Sequence, residues 1–258
     1  MKKLSFIILA GDGINCERET ARAVELAGGA AKIIHVNDLV ESPEALKTVD
    51  GLAVPGGFSF GDELGSGQIM ALKIRHRLGD AFFDMVRAKK PVIGICNGFQ
   101  VLVKLGLLPY PEQPERIIAL AANEGGSFID RWVEMNVEKS VCLWTEGLSK
   151  DKIRLPMRHG EGRIVFKNPA QYDEIKKQGL IPLTYTENVN GSHGLIAGLT
   201  DPSGVALGLM PHPEAYMFHA TAAAPQKDIN NKGDGALIFD NIMRILAGKE
   251  GKNERRFG

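Results

Sequence analysis

The decapeptide Pro91 to Gln100, PVIGICNGFQ, constrains this chain most, because it leads an apolar strand-like run straight into a glycine-flanked cysteine and then into a helical pattern. Its centre, Gly94-Ile95-Cys96-Asn97-Gly98, fits the nucleophile-elbow pattern G-x-[Ser/Cys]-x-G. A strand that turns sharply into a helix needs small residues on both sides of the turn, where larger side chains would collide. Cys96 then stands at a helix N-terminus, where unpaired N–H groups and the helix dipole favour the thiolate. The competing reading is a small apolar cysteine buried after a strand. A base within reach of Cys96 decides between the two.

Strand and helix patterns alternate over the first hundred residues. Strands are expected at 4–10, 31–36, 51–54 and 91–95, and helices at 17–27, 43–47, 66–88 and 98–105. That alternation implies βαβ units with right-handed crossovers and a parallel sheet covered on both faces. From 117 to 165 the runs become shorter and β-like, including 131–137 and 140–144, which predicts antiparallel strands at the sheet edge. A helix at 170–178, strands at 181–186 and 205–210, and a helix at 235–247 complete the pattern. No linker, repeat or low-complexity tract interrupts it. The expectation is one domain over 1–250 followed by a frayed tail at 251–258, with the polar, alanine-rich stretch 215–234 as a surface insertion. The fold class is α/β: a single-domain, open, mostly parallel sheet with helices on both faces, plus antiparallel edge strands.

The 31 basic and 31 acidic side chains cancel, so no global field draws the chain to nucleic acid or to an anionic membrane. The three cysteines, Cys16, Cys96 and Cys142, form neither a disulfide framework nor a paired C-x-x-C, and no metal is expected. A reducing, cytoplasmic setting fits them best. The apolar run behind Lys2 and Lys3 is short and enters Gly11-Asp12-Gly13, so it reads as a first buried strand and not as a leader.

A thiol that attacks a carbonyl needs a base, and the base needs an orienting partner. Met210-Pro211-His212-Pro213-Glu214 supplies both. Pro213 keeps His212 out of the helical region, and in extended chain residues two apart share a side, which sets Glu214 beside the imidazole. The segment follows the strand at 205–210, whose carboxyl end falls on the edge where open parallel sheets hold their sites. His35, His76 and His219 read as surface or capping groups, and His193 lies in a turn-rich loop. His159, in Arg158-His159-Gly160-Glu161-Gly162, stays open between a contact with substrate or partner and a structural turn. For the oxyanion of a tetrahedral intermediate, the Asn97 N–H is one donor. The loop Pro55-Gly56-Gly57-Phe58-Ser59-Phe60-Gly61-Asp62 offers a second; no G-K-[Ser/Thr] or G-x-G-x-x-G follows it, which argues against a nucleotide site.

PGGFSFGD, GICNGFQ and PHPE, in that order, resemble the class I (triad) glutamine amidotransferases. Leu105 to Pro109, Gly13-Ile14-Asn15-Cys16-Glu17, Asn123 with Arg131-Trp132, His159-Gly160-Glu161-Gly162 and Asn190-Gly191-Ser192 are similar to the branch that serves purine biosynthesis. The resemblance covers most of 3–214. It implies a flavodoxin-like fold, Cys96 as nucleophile, His212 as base and Glu214 as orienting acid. It also implies an oxyanion hole from Gly57 and Asn97, and a glutamine pocket shaped by Gly56 and Gln100. The implied reaction is glutamine hydrolysis through a γ-glutamyl thioester. The ammonia is passed to a large synthetase subunit that binds ATP and magnesium and converts formylglycinamide ribonucleotide to its amidine, with a small accessory subunit as a further partner. The chain departs from the family pattern at Glu63 and Gly65-Ser66. A stand-alone cysteine hydrolase would share the elbow and turn over without a partner; a non-catalytic regulatory module would keep the fold with a disabled triad, against which Cys96, His212 and Glu214 stand together.

Overall fold

The structure, a computed structural model, describes residues 3–113, 115–222, 224 and 228–254. Its first half is β1 (Ser5–Ala10), α1 (Glu17–Leu26), β2 (Ala30–His35), α2 (Val36–Glu41), α3 (Ala45–Thr48), β3 (Gly51–Val54), α4 (Gln68–Leu78), α5 (Ala81–Arg87), β4 (Val92–Ile95) and α6 (Asn97–Leu105). Then follow β5 (Ile118–Ala122), β6 (Ile129–Val137), β7 (Lys152–His159), β8 (Glu161–Phe166), α7 (Ala170–Lys177), β9 (Leu183–Tyr185), β10 (Ile196–Thr200), β11 (Ala206–Leu209) and α8 (Asp234–Glu254).

One nine-stranded sheet runs β2-β1-β3-β4-β11-β10-β9-β6-β7. The first five strands are mutually parallel, in the order expected of a flavodoxin-like sheet. Strands β3, β4 and β11 are buried at every residue, as the apolar sequences GLAV, VIGI and ALGL require of strands covered on both sides. Helix α6 packs beside α4 on one face and α1 beside α8 on the other. Beyond β11 the pairing turns antiparallel through β10, β9, β6 and β7, and β5 with β8 makes a separate two-stranded ribbon.

Several expectations shift. The helix expected over 66–88 is two helices, because Gly79 adopts φ 56°, ψ −123°, a conformation that ends α4 and that side-chain-bearing residues avoid. Residues 140–144 form turns and not a strand. Their alternating burial comes from Cys142 and Trp144 packing inward, with Trp144 Nε1 donating to the Val205 carbonyl at 2.9 Å and its ring edge-on to Phe6 and Phe239. The strand at 181–186 shrinks to β9, and β10 was not foreseen, since IAGLT is short and carries a central glycine. The final helix runs on to Glu254, past the expected start of the tail; residues 255–258 of that tail lie outside the described residues. The stretch 215–234 is less of a surface insertion than expected, since Tyr216 and Met217 are buried at its start.

What positions the site is the junction of β4 and α6. β4 pairs in register with β3 (Val54 with Gly94) and with β11 (Leu209 with Ile95), and the last ladder bond, Cys96 N–H to the Leu209 carbonyl at 2.8 Å, reaches the elbow itself. Gly98 on the first turn of α6 lies so close to β3 that an added Cβ would sit 1.8 Å from the Val54 carbonyl oxygen. Backbone cannot retreat from backbone inside a sheet. Gly98→Ala is therefore expected to destabilise the chain by about 3 kcal/mol, read as a lower urea midpoint; an unchanged midpoint would contradict this packing.

Candidate active site

Cys96 caps α6 at φ 50°, ψ −105°, a strained turn that costs a residue with a side chain roughly 1–3 kcal/mol. The β4–α6 junction overdetermines it. The side chain is buried, and its Sγ lies 3.4 Å from the Arg158 carbonyl, in the corner between β7 and β8.

β11 runs parallel to β4, so the chain beyond Leu209 leaves the sheet at the edge where Cys96 emerges. There the His212 N–H donates to the Pro156 carbonyl at 2.8 Å, fixing the backbone against β7. His212 itself is extended, as its position before proline demands, but Glu214 lies in a 3-10 turn that begins at Pro213. The turn, not strand alternation, brings its carboxylate to the ring: His212 Nδ1 and Glu214 Oε1 are 2.6 Å apart, with both side chains almost wholly buried. Burial pushes the His212 pKa down, but the charges of Glu214 and Cys96, with the nearby Cys16 thiol, outweigh it and hold the imidazole well above its ordinary value. Cys96 and His212 are thus brought together with Glu214 behind. Nε2 of His212 and Oε2 of Glu214 have no protein partner.

The loop at 55–62 is clamped by the turn after β1. Asn15 and Cys16 N–H groups both reach the Gly56 carbonyl at 3.3 Å, and the Phe58 N–H reaches the Gly13 carbonyl at 2.7 Å. In this antiparallel bridge, Ile14 opposite Gly57, the flanking residues make the bonds and the Gly57 N–H points away from the clamp. The Asn97 N–H is one of the first N–H groups of α6 and has no partner inside the helix. Both expected oxyanion donors therefore remain available. Gly56 packs against the His212 ring, since an added Cβ would lie 2.7 Å from Cε1. Gln100 is buried and braced: its Oε1 accepts from Asn97 Nδ2 at 2.9 Å and its Nε2 donates to the Glu161 carbonyl at 2.5 Å. Of the residues that depart from the family pattern, Glu63 is exposed, and the Ser66 N–H donates to Glu161 Oε2 at 3.2 Å, which places Ser66 against β8.

The other histidines separate as expected. His35 Nδ1 accepts from the Asn37 N–H at the start of α2, His76 is exposed, His219 Nδ1 lies near the Asp228 carbonyl, and His193 packs edge-on to Phe166 and Tyr172. Cys142 is sealed in the core, where burial pushes its thiol up to about 11. Sequence reasoning missed Cys16 as a neighbour of the imidazole, although its motif had been singled out. His159 is 2% exposed, and neither ring nitrogen has a hydrogen-bond partner in the protein.

The site brings together a thiol on a strand-to-helix turn, a buried imidazole with a carboxylate 2.6 Å away, and two N–H groups without a backbone partner, the kinds of group that thiol acyl transfer requires. The chain belongs to the CobB/CobQ-like glutamine amidotransferase domain family, whose profile matches residues 3–245. It is similar to the phosphoribosylformylglycinamidine synthase subunit PurQ of Methanococcus maripaludis, at 39% identity over 82% of each chain. The same subunit of Dehalococcoides mccartyi is 36% identical, over 95% of this chain and 98% of that one. Among solved structures, a chain of PurLQS from Thermotoga maritima superposes with a TM-score of 0.75 at 31% identity, covering 95% of this chain and all of that one.

Burial first, and then the charge of His212, pushes the His159 pKa down to about 4. The unfolded chain, near 6.5, takes up that proton first, so stability falls as pH drops from about 6.5 towards 4 and levels off below. The loss is about 3 kcal/mol. Denaturant titrations at pH 7 and pH 4.5 are expected to show a smaller drop for His159→Gln than for the unsubstituted chain; equal drops would mean that His159 does not stay neutral.

Proposed function

We propose that this chain is the glutaminase component of a phosphoribosylformylglycinamidine synthase. The observation that carries the chemistry is the buried 2.6 Å contact between His212 and Glu214 at the edge where Cys96 turns into α6. The relatives named PurQ, matched over nearly their whole length, support the assignment of the pathway.

Cys96 gives its proton to His212 Nε2 and its sulfur attacks the side-chain amide carbon of glutamine. The resulting oxyanion is held by the Gly57 and Asn97 N–H groups, each worth roughly a hundred- to a thousand-fold in rate. The imidazolium, stabilised by Glu214, returns its proton to the leaving nitrogen, and ammonia departs. His212 then takes a proton from water, which attacks the γ-glutamyl thioester; glutamate is released and His212 returns the proton to the departing Cys96 sulfur. The neutral His159 beside this centre carries no imidazolium proton to pass to the ammonia.

The ammonia passes to a large synthetase subunit, which with ATP and magnesium converts formylglycinamide ribonucleotide to its amidine, and a small accessory subunit joins the assembly. Phe58 and Phe128, both exposed with ring centroids 6.3 Å apart, and the exposed Leu64 give the loop and corner beside the site an apolar rim suited to that partner. The setting is the cytoplasm; no helix among the described residues is long and apolar enough to cross a membrane.

In the complex with its synthetase, Cys96→Ala is expected to abolish glutamine-dependent amidine formation while ammonia-dependent formation persists. Loss of both activities would contradict this division of labour.

A further inference from the structure

Cys16 is unused by the mechanism, yet it stands beside the catalytic imidazole. Its thiol begins α1 and is half-buried, with Sγ 3.2 Å from Asn15 Oδ1. A ligand atom from each of Cys16, His212 and Glu214 falls within 4.8 Å of the other two. A Cβ built on Gly56 would lie 3.4 Å from both Cys16 Sγ and His212 Nδ1, so thiol and ring edge face the same small space above that glycine. Oε2 of Glu214, on a side chain with no solvent exposure, is without a protein partner.

We propose that Cys16, His212 and Glu214 form a site for a divalent transition-metal ion of the zinc type, which takes hold of the imidazole and shuts the centre down. One thiolate, one imidazole and one carboxylate with a fourth position open is a donor set that suits zinc. The ion replaces the proton shared by Nδ1 and Glu214, and their 2.6 Å separation opens to about 3.3 Å, the spacing of two tetrahedral ligands each about 2.0 Å from the metal. The Cys16 thiol proton passes to solvent, and the Nδ1 proton of the neutral imidazole is relocated to Nε2. With the metal on Nδ1, the remaining ring proton sits on Nε2, which then has no lone pair to accept the Cys96 proton. The glycine at position 56 keeps the space clear; the half-buried Cys16 gives the ion a way in.

Cobalt(II), titrated into the full chain, reports on the site through thiolate-to-cobalt charge-transfer absorption. The unsubstituted chain and Cys96→Ser are each expected to bind one ion with that absorption. Cys16→Ser and Cys16→Ala, checked for native circular dichroism, are expected to lose it and to bind about tenfold or more weakly. Absorption that survives in the Cys16 variants, absorption that vanishes in Cys96→Ser, or no binding by the unsubstituted chain overturns the site. The shut-off rests on the proposed glutaminase function: zinc added to the synthase complex is expected to suppress glutamine-dependent but not ammonia-dependent synthesis. Suppression of neither, in a complex that uses glutamine without zinc, overturns the shut-off. A complex that uses no glutamine even without zinc contradicts the function instead, and the cobalt result still judges the site.

Discussion

The contact between Gly98 and the Val54 carbonyl is the constraint on which the rest depends. It sets α6 hard against β3, and the chain passes from the end of β4 into that helix through the positive-φ turn that Cys96 makes. The strain in that turn is carried by the parallel pairing of β3, β4 and β11, whose last bond ends on the Cys96 N–H. The same pairing launches the chain after β11 at the same edge, so one packing decision places the thiol, frees the Asn97 N–H and delivers His212. The site is a property of the sheet before it is a property of any side chain.

Electrostatics then divides two buried histidines into different roles. His212 has a carboxylate at 2.6 Å and a thiol close by, and these outweigh the penalty of burial, so the ring readily takes and holds a proton. His159, with no partner on either nitrogen and a cationic neighbour, is kept neutral. Opposed shifts of this kind in one cleft mark a functional centre more firmly than either alone. They also fit a reaction in which one imidazole must shuttle a proton while ammonia leaves uncharged.

Much of this was legible in the sequence because the relevant signals are local. The strand-to-helix turn at Cys96 is written in Gly94 and Gly98, the parallel core in runs such as GLAV and VIGI, and the base with its acid in a five-residue segment. What the sequence hid depends on contacts far apart in the chain. Trp144 and Cys142 alternate like a strand, yet they are turn residues plugging the core at the start of β11, and no local pattern tells a plug from a strand. Likewise, the pairing of loop 13–16 with Gly56 and Gly57, which brings Cys16 to the imidazole, joins segments some forty residues apart. The orphaned state of His159 is invisible until its surroundings are known.

The central claim is that Cys96, alone of the three cysteines, is the acyl-accepting thiol. Treatment with a chloroketone analogue of glutamine followed by peptide mass spectrometry tests it most directly. The account predicts a single adduct on Cys96, suppressed by excess glutamine and slowed in His212→Ala. An adduct on Cys16 in place of Cys96, or labelling that ignores both glutamine and His212, would contradict it.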